Sequence, residues 1–342
     1  MTTQNLPHEA CWYEKLDDGR VQCHLCAHEC NIPEGKRGIC HVRENMAGVL
    51  RTLVYGRTIA QHVDPIEKKP LFHFYPGSQS YSIATAGCNF RCLFCQNADI
   101  SQMPREQHFI MGQEATPAQI VRAAQRAGCQ SISYTYTEPT IFAEYAYDTA
   151  VLAHQAGLAN VFVTNGYMTP SFLDSFHPYL DAANVDLKAF RDQFYRQMCG
   201  ARLEPVLNSL RHMKKLGIWV EVTTLIVPRA NDDPAELREL ADFIARELGP
   251  DTPWHVSRFH PTYRLTDRPS TPVATLEMAA GIGWEAGLRY VYMGNVPGRG
   301  EETRCHQCGQ PLIERYGFHV LSNRVRGGRC PHCQTSVAGV GL

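Results

Sequence analysis

From about Ser80 onward, short β-branched or aromatic runs alternate with longer stretches of helical periodicity. The runs at 81–85, 131–136, 160–163, 184–187, 219–226, 254–259 and 290–293 read as strands. Helix starts are marked between them: Thr116-Pro117 before an Ala-rich segment, Asp233-Pro234 before 235–248, and Thr271-Pro272 before 273–286. Asp233 is expected to be a helix cap and nothing more. Such alternation predicts βα units on a parallel sheet, an α/β fold. Six or seven repeats are too few for a closed eight-stranded barrel, so the pattern predicts an open, partial TIM-type barrel.

Polar residues gather where the strands end. Glu138 follows the second run, Thr164-Asn165-Gly166 the third, Asp186 and Lys188 sit at the fourth, and Ser257, Arg258 and His260 close the sixth. In βα barrels the carboxyl ends of the strands carry the active site, so this placement is a functional signal. A cysteine-rich loop follows the first strand on the same rim. His255, His260, Tyr134 and Tyr136 are candidates for the same site, with packing or hydrogen-bonded core roles as the alternative.

The regions flanking the repeats differ in character. Residues 1–79 and 301–342 carry cysteine clusters and Gly, Pro and His-rich connectors, and neither is large enough to bury a core of its own. We therefore divide the chain into an N-terminal Cys-rich module (1–79), a barrel (80–300) and a C-terminal zinc-ribbon-like module (301–342). Across 342 residues, Lys plus Arg number 33 and Asp plus Glu 34, so charge gives no reason to expect nucleic acid or an anionic membrane as partner. No apolar run reaches membrane-spanning length and the stretch 1–14 has no apolar leader core, so the expectation is a soluble cytoplasmic protein. In that compartment the 14 cysteines point to metals rather than disulfides. Cys129 and Cys199 read as buried small apolar residues, whereas Cys11 is left open.

The sharpest group is Cys88, Cys92 and Cys95, spaced C-x3-C-x2-C with Phe94 just before the third. Three thiolates can hold a four-iron cluster and leave one iron free for another ligand. This spacing is the signature of radical SAM enzymes. With Cys23 to Cys40, Tyr55-Gly56-Arg57, the run from Asp64-Pro65-Ile66-Glu67-Lys68-Lys69-Pro70 through Phe74, and Gly294-Asn295-Val296-Pro297, the chain resembles the radical SAM enzyme of the AmmeMemoRadiSam system. That family is itself similar to glycyl-radical-enzyme activases.

The resemblance implies a 4Fe-4S cluster at Cys88, Cys92 and Cys95, S-adenosylmethionine chelated on its open iron, and one-electron cleavage to a 5'-deoxyadenosyl radical that abstracts hydrogen. Glu138 falls where the superfamily usually shows Gly-Gly-Glu-Pro and is implied to bind the methionine amino group. Asp186-Leu187-Lys188 matches a D-x-K element of the activases, and alternation sends Asp186 and Lys188 to one face, to pair with each other or contact the cosubstrate. Phe94, Thr164, Asn165 and Arg258 complete the expected binding set. An electron donor of flavodoxin or ferredoxin type is implied, with Memo-like and AMMECR-like proteins as pathway partners and a glycyl-radical protein as one target.

Cys305, Cys308, Cys330 and Cys333 have near-standard zinc-ribbon spacing, which closes a tetrahedral site and predicts a structural role. Cys23, Cys26, Cys30 and Cys40 follow neither a ferredoxin nor a ribbon pattern. A structural zinc, the preferred reading, or an auxiliary iron-sulfur cluster would satisfy them, with His24, His28 and His41 as substitute ligands. The competing class of function is a non-catalytic protein, an iron-sulfur electron carrier or a zinc-organised scaffold. The substrate is not readable from the sequence.

Overall fold

The computed structural model describes residues 6–342; residues 1–5, part of the stretch examined above for a leader, lie outside the described residues. The frame is a sheet of β1 (Arg57–Pro65), β2 (Gln79–Thr85), β3 (Ser131–Tyr134), β4 (Ala159–Thr164), β5 (Ala182–Asp186), β6 (Trp219–Ile226), β7 (Trp254–Arg258) and β8 (Val291–Gly294). They lie side by side in chain order, and the short strand Gln113–Glu114 extends the sheet beyond β1. Neighbours from β2 to β8 are parallel, while β1 runs antiparallel to β2. The terminal strands do not pair with each other, so the barrel is open, as expected.

Six helices make the crossovers: α1 (Pro117–Arg126), α2 (Ala143–Gln155), α3 (Pro170–Phe176), α4 (Glu204–Lys215), α5 (Pro234–Phe243) and α6 (Val273–Glu285). Thr116 and Gln119 form a reciprocal capping box on α1. The Asp233 carboxylate accepts from the backbone N–H groups of Ala235 and Glu236, both at 3.0 Å, the cap expected of it. Thr271 departs from expectation. Its hydroxyl donates to the Ile226 carbonyl at 2.6 Å and accepts from Phe259 N–H at 2.9 Å, tying two strand ends together instead of capping α6.

The stretch 1–79 does not stay apart as one module. Arg57–Pro65 joins the main sheet, and Ile66, Leu71 and Phe74 plug the barrel floor against Val161 and Ala182. Polar residues on both faces of β1 hid it from an apolar-run reading, because His62 and Asp64 on its inward face meet Tyr136, Lys68 and Lys69 rather than a dry core. Register places Asp186 opposite Thr223, Thr223 opposite His255, and His255 opposite Tyr292, so a polar row crosses the interior.

Below that row a buried network clamps the floor. Glu221 accepts from the N–H groups of Phe72 (3.0 Å) and His73 (2.8 Å) and pairs with His255 Nε2 at 2.7 Å. His73 Nδ1 donates to the Ala338 carbonyl at 2.7 Å, which leaves Nε2 to accept from Tyr292 at 2.6 Å. Arg315 donates to the Phe72 carbonyl (2.7 Å) and Thr303 (2.8 Å) and stacks over the Phe72 ring. The C-terminal module thus shares its core, built from Phe72, Tyr290, Tyr292, Leu312 and Ile313, with the barrel bottom.

Candidate metal centre

The loop after β2 carries Cys88, Cys92 and Cys95 over the carboxyl ends of the strands. It enters through Gly87, whose φ of +107° and lack of space for a side chain both demand glycine: a Cβ there would stand 2.7 Å from Val42 Cγ1. Its far side is held by bonds from Arg91 N to the Cys199 carbonyl and from Leu93 N to the Met198 carbonyl, both 2.9 Å. Arg264 N donates to the Leu93 carbonyl at 3.0 Å, and Gln102 and Arg105 both donate to the Phe90 carbonyl.

Cys92 is buried, while Cys88 and Cys95 are half-buried. Phe90 N–H points at the Cys88 sulfur at 3.3 Å, and the Ser101 hydroxyl lies 3.3 Å from the Cys95 sulfur. Such donors favour thiolate ligands. Because Gly87 sets the entry angle, Gly87→Ala is expected to lower iron retained after anaerobic reconstitution several-fold, measured per chain alongside an unchanged far-UV spectrum.

Lys188 and Asp186 lie on the same face, as strand alternation requires, and pair at 2.8 Å. Burial opposes the Lys188 charge, yet Asp186 and the Cys92 and Cys199 thiols beside it hold its pKa well above the usual lysine value. Asp186 is the more open of the two, 37% exposed against 13%, and so faces the interior space. Phe94 is buried against Phe194, with the Lys188 ammonium 5.9 Å from its ring centre.

Glu138 is fully engaged by its own surroundings. Its carboxylate accepts from Thr140 N–H (3.1 Å), the Thr164 hydroxyl (2.7 Å) and Asn165 N–H (2.8 Å) and caps the turn Pro139–Phe142. Burial pushes its pKa up, and those hydrogen bonds pull it back. Its visible work is to fix Thr164 and Asn165. Asn165 Nδ2 in turn lies 2.7 Å from Asn89 Oδ1 and 3.9 Å from the Cys88 sulfur.

Arg258 donates through Nε to the Thr271 carbonyl at 2.8 Å. His255 belongs to the floor network, His260 is exposed beside Ser270, and Tyr134 turns outward to Asn160, so these three take the core or surface alternatives. Tyr136 instead reaches inward to Asp64, which also holds Lys68 and Lys69 at 2.8 and 2.7 Å. Burial lowers Lys69 to about 8 despite that partner. The conspicuous Asp64…Lys68-Lys69 spacing was the only sequence signal for this group. Three buried side chains by the loop and β2 have unpartnered polar atoms: Ser82, Thr85 and Asn89. Strand alternation puts Ser82, opposite His62, on the inward face and Thr85 on the other, so Ser82 is the orphaned strand hydroxyl that a polar guest inside the barrel could meet.

Cys199 is fully buried in the main core, the small apolar role expected of it, and neighbours Cys92. Among the described residues, Cys305, Cys308, Cys330 and Cys333 are the one group of metal-capable side chains whose ligand atoms all fall within 4.8 Å of each other. Cys23, Cys26, Cys30 and Cys40 line one cavity, joined by Arg43.

Comparison with known proteins bears on this arrangement. Residues 82–244 match the model of the Radical SAM superfamily. An uncharacterised protein of Methanocaldococcus jannaschii is 52% identical over 95% of the chain and 97% of its own length. Another protein of that organism, named as a candidate glycyl-radical-enzyme activating enzyme, is 23% identical over 53% of the chain and 68% of its own length. A crystal structure of a radical SAM methyltransferase from Sphaerobacter thermophilus superposes with a TM-score of 0.51 at 18% identity, covering 64% of this chain and 67% of that one. At that identity the likeness speaks to fold alone. No helix among the described residues is long and apolar enough to cross a membrane.

Proposed function

From the match of residues 82–244 to the Radical SAM superfamily, we propose that the chain is a radical SAM enzyme in which Cys88, Cys92 and Cys95 hold a 4Fe-4S cluster at which S-adenosylmethionine is reductively cleaved. The observation that carries this reading is convergence. Three thiols, the Asp186–Lys188 pair and the Asn165–Asn89 pair meet on one rim above an interior where the Ser82 hydroxyl lacks a partner. The cluster, when bound, supplies the electron and the open coordination site.

The protein's own groups do the rest. Lys188 places positive charge beside Cys92 and so favours the thiolate. Asp186, the more exposed partner, is poised to accept hydrogen bonds from a ribose or an ammonium. Glu138 positions Thr164 and Asn165 instead of standing free, so we assign the methionine end of the cosubstrate to the surroundings of Asn165 and Asn89. Phe94 walls the adenine side, and Arg258 stands farther along the rim.

The finer reading is an activase-like enzyme of the AmmeMemoRadiSam type, supplied with electrons by a flavodoxin or ferredoxin and acting with Memo-like and AMMECR-like partners. It rests on the sequence resemblance and on the relationship to an activating-enzyme homologue. We further assign zinc to Cys305, Cys308, Cys330 and Cys333, because sulfur separations of 3.6 and 3.7 Å suit one tetrahedral ion.

The test is to reconstitute the protein without oxygen, reduce it with dithionite and add S-adenosylmethionine. Production of 5'-deoxyadenosine is expected. Redox cycling with the cosubstrate left intact would favour an electron carrier, and zinc at every cysteine set a scaffold.

A further inference from the structure

The geometry points to a second iron-sulfur cluster, held by Cys23, Cys26, Cys30 and Cys40 and placed to pass one electron to the cluster at Cys88, Cys92 and Cys95. The relay half of this assignment rests on the function proposed above; the metal half does not.

Sulfur spacing comes first. Around one zinc, with Zn–S near 2.3 Å, thiolates sit about 3.8 Å apart. The C-terminal four meet that requirement, at 3.6 and 3.7 Å. Among the N-terminal four, no three thiols come within 4.8 Å of one another, and the same holds for Cys88, Cys92 and Cys95. A four-iron cube binds each thiolate at a different corner and so holds its ligands farther apart than a single ion does. By spacing, the N-terminal set groups with the cluster loop and not with the ribbon.

The surroundings agree. The four thiols line one pocket with Leu25, Ile32 and Ile141. Arg43, 2% exposed, lines the same cavity; its terminal nitrogens are taken by Glu144 and the Cys11 carbonyl, but its Nε has no partner. A buried cation beside the thiols is a lever on a cluster's potential.

Proximity supplies the role. A Cβ placed on Gly87 would stand 3.4 Å from the Cys40 carbonyl oxygen, and His28 Nε2 lies 2.9 Å from the Asn89 carbonyl. The N-terminal module therefore abuts the residues on both sides of Cys88. A one-electron reductant of flavodoxin or ferredoxin type reduces the N-terminal cluster by one electron. That electron then moves to the three-cysteine cluster and reoxidises the first, with no bond or proton change in the protein.

The full-length protein carrying C88A, C92A and C95A, reconstituted anaerobically, is expected to keep about four irons, about four sulfides and about one zinc per chain. Dithionite should then give it an EPR signal that S-adenosylmethionine leaves unchanged. Two zincs without sulfide, or no metal beyond the C-terminal zinc, would overturn the assignment. For the relay, wild-type protein is fully reduced, freed of excess reductant and given S-adenosylmethionine. About two 5'-deoxyadenosines per chain are expected, because each cleavage uses one electron. One per chain overturns the relay. None, with the cluster still present in the triple variant, sinks the reading of the three-cysteine site while the N-terminal metal assignment stands.

Discussion

Replacing Cys88, Cys92 and Cys95 together with Ala should reduce 5'-deoxyadenosine formation to the level of a protein-free control. The reaction needs both the open iron and the electron it carries, and no other group on the rim can supply either. The fold should survive, because the loop is held mainly through main-chain groups of Arg91, Leu93 and Phe90, which the substitutions leave in place. Lys188→Ala is the graded comparison. It removes the cation beside Cys92 and frees Asp186, and we expect a loss of roughly 10- to 100-fold, the usual scale for a group supporting a metal ligand. Persistent cleavage in the triple variant would refute the proposed site. An undiminished rate in Lys188→Ala would remove the Asp186–Lys188 pair from it.

Acid should loosen the barrel floor well before it unfolds an ordinary protein of this size. Burial lowers His73 to about 4, against an ordinary value near 6.5, because its ring lies fully inside the network of Glu221, Tyr292 and the Ala338 carbonyl. The unfolded chain therefore binds the proton first as pH falls. The stabilisation is complete above about pH 6.5 and declines toward pH 4, by roughly 3 kcal/mol at about 1.4 kcal/mol per unit. Burial alone would raise Glu221, but the bond from His255, its charge and that of His73 outweigh it, so its pKa is depressed. Its contribution has the same sign, present above the ordinary glutamate value near 4.5 and lost below it. Denaturant unfolding across pH 4–7 should show the decline, and His73→Gln should flatten it between pH 6.5 and 4. Glu221→Ala should cost about 3–5 kcal/mol at neutral pH, since it strands the partners of a buried carboxylate. A pH-independent midpoint in the wild type would contradict the burial of a neutral His73 in this network.

Much of the barrel was legible. All seven expected strands are present, with ends moved by at most two residues, because strands buried on both faces must be nearly continuous apolar runs. β1 escaped that logic, since its inward residues His62 and Asp64 face the interior space rather than a core. The cysteine spacing likewise named the metal loop, because three ligands in eight residues are local by construction. Glu138 shows the limit of such reading: the motif position was visible, but not that Thr140, Thr164 and Asn165 would occupy its carboxylate.

The sequence by itself determined the parallel βα order, the rim on which the polar residues collect, and the three cysteine sets, because each of these is written in neighbouring positions or a short period. Only the tertiary structure decided which distant groups share a charge or a thiol. It set Lys188 and Cys199 against Cys92, Tyr136 on Asp64 and Lys69, and the N-terminal cysteines against the cluster loop. Those contacts span tens to hundreds of residues, and they follow from how strands pack around a common interior, a property that no local pattern of side chains encodes.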